Sequence, residues 1–219
     1  MLGLKHLKNE RLADTRGFTL IEIAIVLVII GLIIGAVVKG KDLIQSGKQK
    51  KFYTKNLKAW ELAVLTYYDR TGFALGDGTA NGGTATTTDG RFDNVSGANF
   101  GNTNGIDAKL KAVGLTVPTS NTANSGQFSF KGQYSGTQTI TMYLYYLYSH
   151  TQKKYSNALY FTSMPTDLAI ALDTMVDGQI DARKGTFRRY ADNATPNDGT
   201  WPDATVTTTV NAQYIMDVP

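Results

Sequence analysis

Apolar residues run almost without a break from Phe18 to Val38, a stretch with no proline and one charge, Glu22. At ~1.5 Å per residue it spans roughly 30 Å, the thickness of one hydrocarbon core, so a membrane-crossing helix is predicted. The pattern then narrows to a stripe. Tyr53, Leu57, Trp60, Val64 and Tyr67 recur at four- and three-residue steps and form one apolar face. Arg70-Thr71-Gly72 reads as the end, with Gly72 at the C-cap. A helix from Phe18 to about Arg70, on the order of 80 Å long, is therefore expected. Its first half, residues 18–38, lies in the membrane, and residues 39–71 back a head built from residues 72–219.

Gly, Thr, Asn, Asp and Ala dominate residues 73–105, and no periodicity supports an element there, so a long variable loop is expected. Ile106 to Val113 reads as a short helix ended by Gly114. A sheet follows over 126–217. Gln127–Lys131 alternates apolar and polar residues, as a half-buried strand does. Thr139–Tyr148 is apolar on both faces, which predicts a central strand covered on both sides. Ala158–Thr162 is a third strand, and Pro165-Thr166-Asp167 opens a helix through Met175. Gly185–Tyr190, Thr205–Val210 and Gln213–Met216 are weaker strand candidates. The class is α+β, a long N-terminal helix packed on an antiparallel sheet.

Glu22 lies near one end of the membrane run. A carboxylate at a helix centre costs about 2.5–3.5 kcal/mol on insertion scales, less toward the end, so something must neutralise it. A secretory signal peptide would have a shorter apolar region with a small-residue cleavage site after it. Here Ala36-Val37-Val38-Lys39 is a poor site, and the small residue at a plausible cut, Gly17, precedes the run. The apolar helix then stays with the mature chain.

Arg16-Gly17-Phe18-Thr19-Leu20-Ile21-Glu22 closely resembles the N-terminus of the type IV pilin family, which includes the pseudopilins of type II secretion; the likeness covers residues 11–45. The resemblance implies a pilin-like fold and a leader of residues 1–17. It implies cleavage by a membrane-embedded prepilin peptidase between Gly17 and Phe18, and N-methylation of the new Phe18 amine. It also implies that Glu22 pairs with the N-terminal amine of a neighbouring subunit during assembly of a homo-oligomeric helical filament on an inner-membrane platform. The implied location is the inner membrane, leader in the cytoplasm, before assembly, and a periplasmic or cell-surface filament after it. A carboxylate in lipid seeks a cation, and an amine heading an adjacent helix is one at similar depth.

The chain departs from the family pattern at three points. No proline occurs between Met1 and Arg70; Gly31, Gly35, Gly40 and Gly47 stand in the helix instead, each weakening it by ~1 kcal/mol relative to alanine, and local melting around Gly35–Gly40 is an expectation. No cysteine is available for a disulfide in the head. The 17-residue leader leaves the subclass open.

Charge adds a conflict. Lys39, Lys41, Lys48, Lys50, Lys51, Lys55 and Lys58 stand against one Asp42 beyond the membrane run. Read alone, the positive-inside rule would keep that side cytoplasmic, whereas the resemblance exports it. Residues 61–219 carry 11 Lys/Arg against 14 Asp/Glu, so a basic shaft beside acidic heads would attract neighbours. The overall pI of about 9.1 reflects the leader and residues 39–58, and it argues little for a nucleic-acid partner of the head.

Candidate chemistry in the head is sparse. Asp173, Asp177 and Asp181, at four-residue spacing with Gly178, could gather oxygen ligands for Ca²⁺, though not in the D-x-D-x-D-G arrangement; an Asp-rich turn without metal is the competing reading. The tyrosines of Thr139–Tyr148 could stack single-stranded nucleic acid, but no basic residue interleaves them. There is no cysteine nucleophile, nucleophile elbow, Walker loop or H-E-x-x-H, and the two histidines are His6 and His150, so an enzyme is not expected. Two functional classes stay in play: a filament subunit (pilin, minor pilin or pseudopilin) and a single-pass anchored binding module such as an adhesin or DNA-uptake head.

Overall fold

The computed structural model describes residues 17–149, 153–190 and 200–218. The leader residues 1–16 with His6, and also His150, lie outside them. The chain divides into two compact units, residues 1–44 and 45–219.

In the first unit, helix α1 begins at Leu20, and the helix runs on to Phe52. Its most apolar stretch has a mean hydropathy of 3.1 and no buried residue. Gly35 and Gly40 lie within continuous helix in the single chain; the melting expected around them concerns the assembled filament.

The second unit opens with the last turns of α1. A π-turn, Tyr53–Leu57, and helix α2, Lys58–Thr71, follow. Gly72 closes α2 at φ +75°, its N–H on the Tyr68 carbonyl, as the Arg70-Thr71-Gly72 pattern predicts. The apolar stripe is shifted at its start. Phe52 is buried and Tyr53 only half-buried, and the next buried residue is Leu57, five positions on. The π-turn supplies this extra residue. Thr54 sits in it with its hydroxyl on the Lys50 and Lys51 carbonyls (3.1 and 3.3 Å), a side-chain bond that competes with the helical ladder.

Helix α3 is Ile106–Ala112, and Gly114 follows at φ +74°. The sheet order is β1-β3-β4-β6-β5, with β2 also on β3, all pairings antiparallel. The strands are β1 Val95–Ser96, β2 Gln127–Lys131, β3 Thr137–Ser149, β4 Lys154–Pro165, β5 Phe187–Tyr190 and β6 Thr209–Ile215. Helix α4, Thr166–Asp177, follows β4 directly. The two weak C-terminal candidates are one strand, β6, which runs unbroken through Asn211 and Ala212. Thr205–Thr207 instead form a turn capped by Asp203.

One face of the sheet builds the core. Ile140, Met142, Leu144, Leu159, Phe161, Ala212 and Tyr214 join Trp60, Val64 and Phe100 there. Burying a side chain of this kind contributes about 1.5–3 kcal/mol. The expectation that β3 is covered on both sides is corrected: Tyr143 and Tyr145 are only half-buried. They form a ladder with Tyr160, ring centroids 5.7 and 5.5 Å apart, which Tyr190 continues at 5.0 Å. Tyrosine reads as apolar in a pattern, yet its hydroxyl suits a wet face.

Residues 73–105 carry the short strand β1, which no periodicity announces, and are otherwise a loop pinned by side-chain acceptors. Asp93 Oδ2 accepts from the N–H groups of Gly78, Thr84 and Ala85 at 2.8–2.9 Å. Buried Asp77 accepts from those of Asp89 and Gly90 at 3.1 and 2.7 Å. Phe92, Val95 and Phe100 from this segment enter the core. Gly97 allows the segment to touch the start of β2: a Cβ there would lie 2.2 Å from the Gly126 carbonyl oxygen.

Candidate functional site

The start of the membrane helix is set by Thr19 and Glu22. The first helical bond runs from the Ile23 N–H to the Thr19 carbonyl, which makes Thr19 the N-cap. The Thr19 N–H and hydroxyl both donate to Glu22 Oε2, at 2.7 and 2.8 Å, and the Glu22 N–H points to the Thr19 hydroxyl at 3.3 Å. This is a reciprocal capping box, and it satisfies two of the N–H groups a helix start leaves without partners. Among the described residues Glu22 Oε1 accepts no bond. One edge of the carboxylate is thus held by its own backbone, and the other is open.

Gly17 and Phe18 lie just before this cap, in extended chain, with Phe18 85% exposed. A Cβ on Gly17 would meet nothing within 4 Å, and its φ lies outside the left-handed region. Among the described residues neither packing nor backbone geometry requires glycine here. Sequence reading singled out Gly17, Phe18 and Glu22 and missed Thr19, although T-x-x-E before an apolar run is a legible capping signal. The structure brings Glu22 to Thr19 and leaves Phe18 beside them with a free side chain.

The Asp173, Asp177 and Asp181 group holds a turn. Asp173 Oδ2 accepts from the Trp201 indole N–H and the Asp181 N–H, both at 2.7 Å, while its Oδ1 is buried without a partner. Asp177 accepts from the Thr186 and Phe187 N–H groups at 2.8 and 2.9 Å. Asp181 accepts from the Arg183 and Lys184 N–H groups at 2.9 and 3.2 Å. Burial pushes the Asp173 carboxyl up to about 6 against its two hydrogen bonds, with the charges of Asp177 and Asp181 adding to the rise. Among the described residues no three His, Cys, Asp or Glu side chains converge as a metal site requires. The spacing that raised Ca²⁺ ties the end of α4 to β5.

The family model described as the prokaryotic N-terminal methylation motif matches residues 12–38. That span contains the Gly17-Phe18 junction, the Thr19–Glu22 box and the apolar helix. No curated protein and no solved structure matches the chain.

Proposed function

We propose, for a chain that carries the methylation signature of type IV pilins and pseudopilins, the role of a structural filament subunit. Cleavage falls between Gly17 and Phe18 and frees the Phe18 amine, which is then methylated. The leader stays cytoplasmic, the head is exported, and the apolar helices bundle in the filament core. The single observation that carries this reading is the helix after Glu22: its apolar residues, among them Ile25 (53%), Leu32 (70%) and Ile33 (57%), are exposed along its length, with no partner among the described residues. A soluble protein does not leave so large an apolar surface open; lipid or neighbouring helices must cover it.

Glu22 supplies register. Its open Oε1 edge accepts the methylated Phe18 amine of a neighbour, so that charge is neutralised only when the helices are correctly staggered. Lateral helix packing supplies most of the attraction, and the ion pair selects one arrangement.

Intact mass of sheared surface material and of membranes, wild type against Glu22→Ala, tests the reading. The expected result is a surface fraction beginning at N-methylated Phe18 that Glu22→Ala abolishes. Processed protein confined to membrane and periplasm would identify a pseudopilin subunit. An uncut chain would overturn the proposal and leave an anchored binding module.

A further inference from the structure

A groove of about 570 Å³ lies in the second unit between the helix around the π-turn and the outer edge of β2. Lys48, Lys51, Lys55 and Lys131 line it, and no carboxylate does. Lys48, Lys51 and Lys55 all face the groove from one helix, and like charges so close together repel. None of the four makes an ion pair among the described residues; those present are Lys58–Glu61, Arg91–Asp89 and Lys184–Asp181. All four are exposed at the rim, above a floor of buried Phe52 and Phe130.

Two features make this a formed site rather than a loose basic stretch. The π-turn places Asn56, five residues after Lys51, on the same face, because its wider turn brings i+5 rather than i+4 under residue i. The opposite wall is held rigid. Asn121 pairs with Ser129 as a strand would, donating to its carbonyl at 2.7 Å and accepting from its N–H at 2.9 Å, while the Ser120 hydroxyl bonds the Gln127 carbonyl. The Asn56 amide and the Thr137 hydroxyl remain to contact a ligand.

We infer that this groove binds a small phosphate-bearing ligand with several oxyanion groups. The volume falls in the range of about 300–1,000 Å³ typical of ligand sites. Ammonium groups act as point charges with three donors each and suit tetrahedral oxyanions arrayed around them, whereas planar carboxylates favour the arginine fork, which the lining lacks. This inference does not depend on filament assembly.

The test uses the full chain in phosphatidylcholine nanodiscs, titrated calorimetrically with tripolyphosphate. Lys48→Gln/Lys51→Gln/Lys55→Gln should weaken binding by about tenfold or more, as loss of charged hydrogen bonds does. Lys39→Gln/Lys41→Gln/Lys50→Gln removes equal charge outside the groove and should change it by less than about twofold. Thermal unfolding of both variants checks that the head is intact. Equal weakening by the two sets, or no saturable binding to wild type, would overturn the site. Repeating the titration with a lipid bearing several phosphate groups in the nanodisc, against a phosphatidylglycerol nanodisc of equal bilayer charge, separates the sources: tripolyphosphate binding lost with the first lipid and kept with the second makes the ligand a lipid headgroup, and binding kept with both makes it a soluble phosphate compound.

Discussion

Residues 20–44 and residues 45–218 use apolar side chains in opposite ways. In the first region Leu20 (93%) and Leu32 (70%) stand in the open; in the second Trp60, Leu144 and Phe161 are fully buried. The helix of the first region satisfies its backbone internally and its surface externally. The second region closes its own core, with Trp60 against Phe100 at 5.1 Å and Phe52 edge-on to Phe128 and Phe130. One stretch therefore leaves its apolar side chains open and the other closes a core of its own, and substitutions should divide along the same line.

The largest expected effect is in the core. Trp60→Ala should destabilise the head by about 3–5 kcal/mol in a denaturant titration while leaving insertion of residues 20–44 unchanged. Should the head melt without loss, the self-contained core assigned to it would be wrong. Next comes the loop: Asp93→Ala strands three N–H groups and should cost about 1–3 kcal/mol or more, with hydrogen exchange accelerated at Gly78, Thr84 and Ala85. Unchanged exchange there would return residues 73–105 to the status of a plain loop.

Asp173 gives a pH signature confined to the head. Its folded pKa is raised to about 6, so ionisation favours the unfolded chain, and its contribution falls as pH rises from about 4 through 6. The melting temperature of Asp173→Asn minus that of wild type should therefore increase between those pH values and level off above them. A flat difference would refute the buried, orphaned carboxyl. The smallest effect belongs to the first region. Thr19→Ala should cost the helix start about 0.5–2 kcal/mol, visible as fraying at Leu20–Glu22 with the head's melting curve unmoved.

Most of the architecture was legible because its signals are periodic. The membrane helix, the Gly72 stop, α3, β2 and the middle of β4, Ala158–Thr162 within Lys154–Pro165, follow from spacing and turn residues. What escaped depends on hydrogen bonds that leave no period. Asp77 and Asp93 organise a segment whose composition reads as loop, and Thr54 accompanies an extra residue that moved the stripe's start from Tyr53 to Phe52. The tyrosines of β3 misled for another reason: one residue type serves both a dry and a wet face. At the candidate site the G-F-T-L-I-E run marked Gly17, Phe18 and Glu22, and Thr19 passed unread between them.

The Thr19–Glu22 box also bears on supply. In the proposed assembly, subunits must accumulate in the bilayer before any is used. A carboxylate folded back onto its own N–H and hydroxyl enters lipid partly satisfied, so waiting is less costly than for a bare acid. The open edge still makes the paired state better. Within that proposed assembly the box would be a holding arrangement: monomers could wait in the bilayer, and the stagger of neighbouring helices, rather than a lone charge, would decide which encounters last.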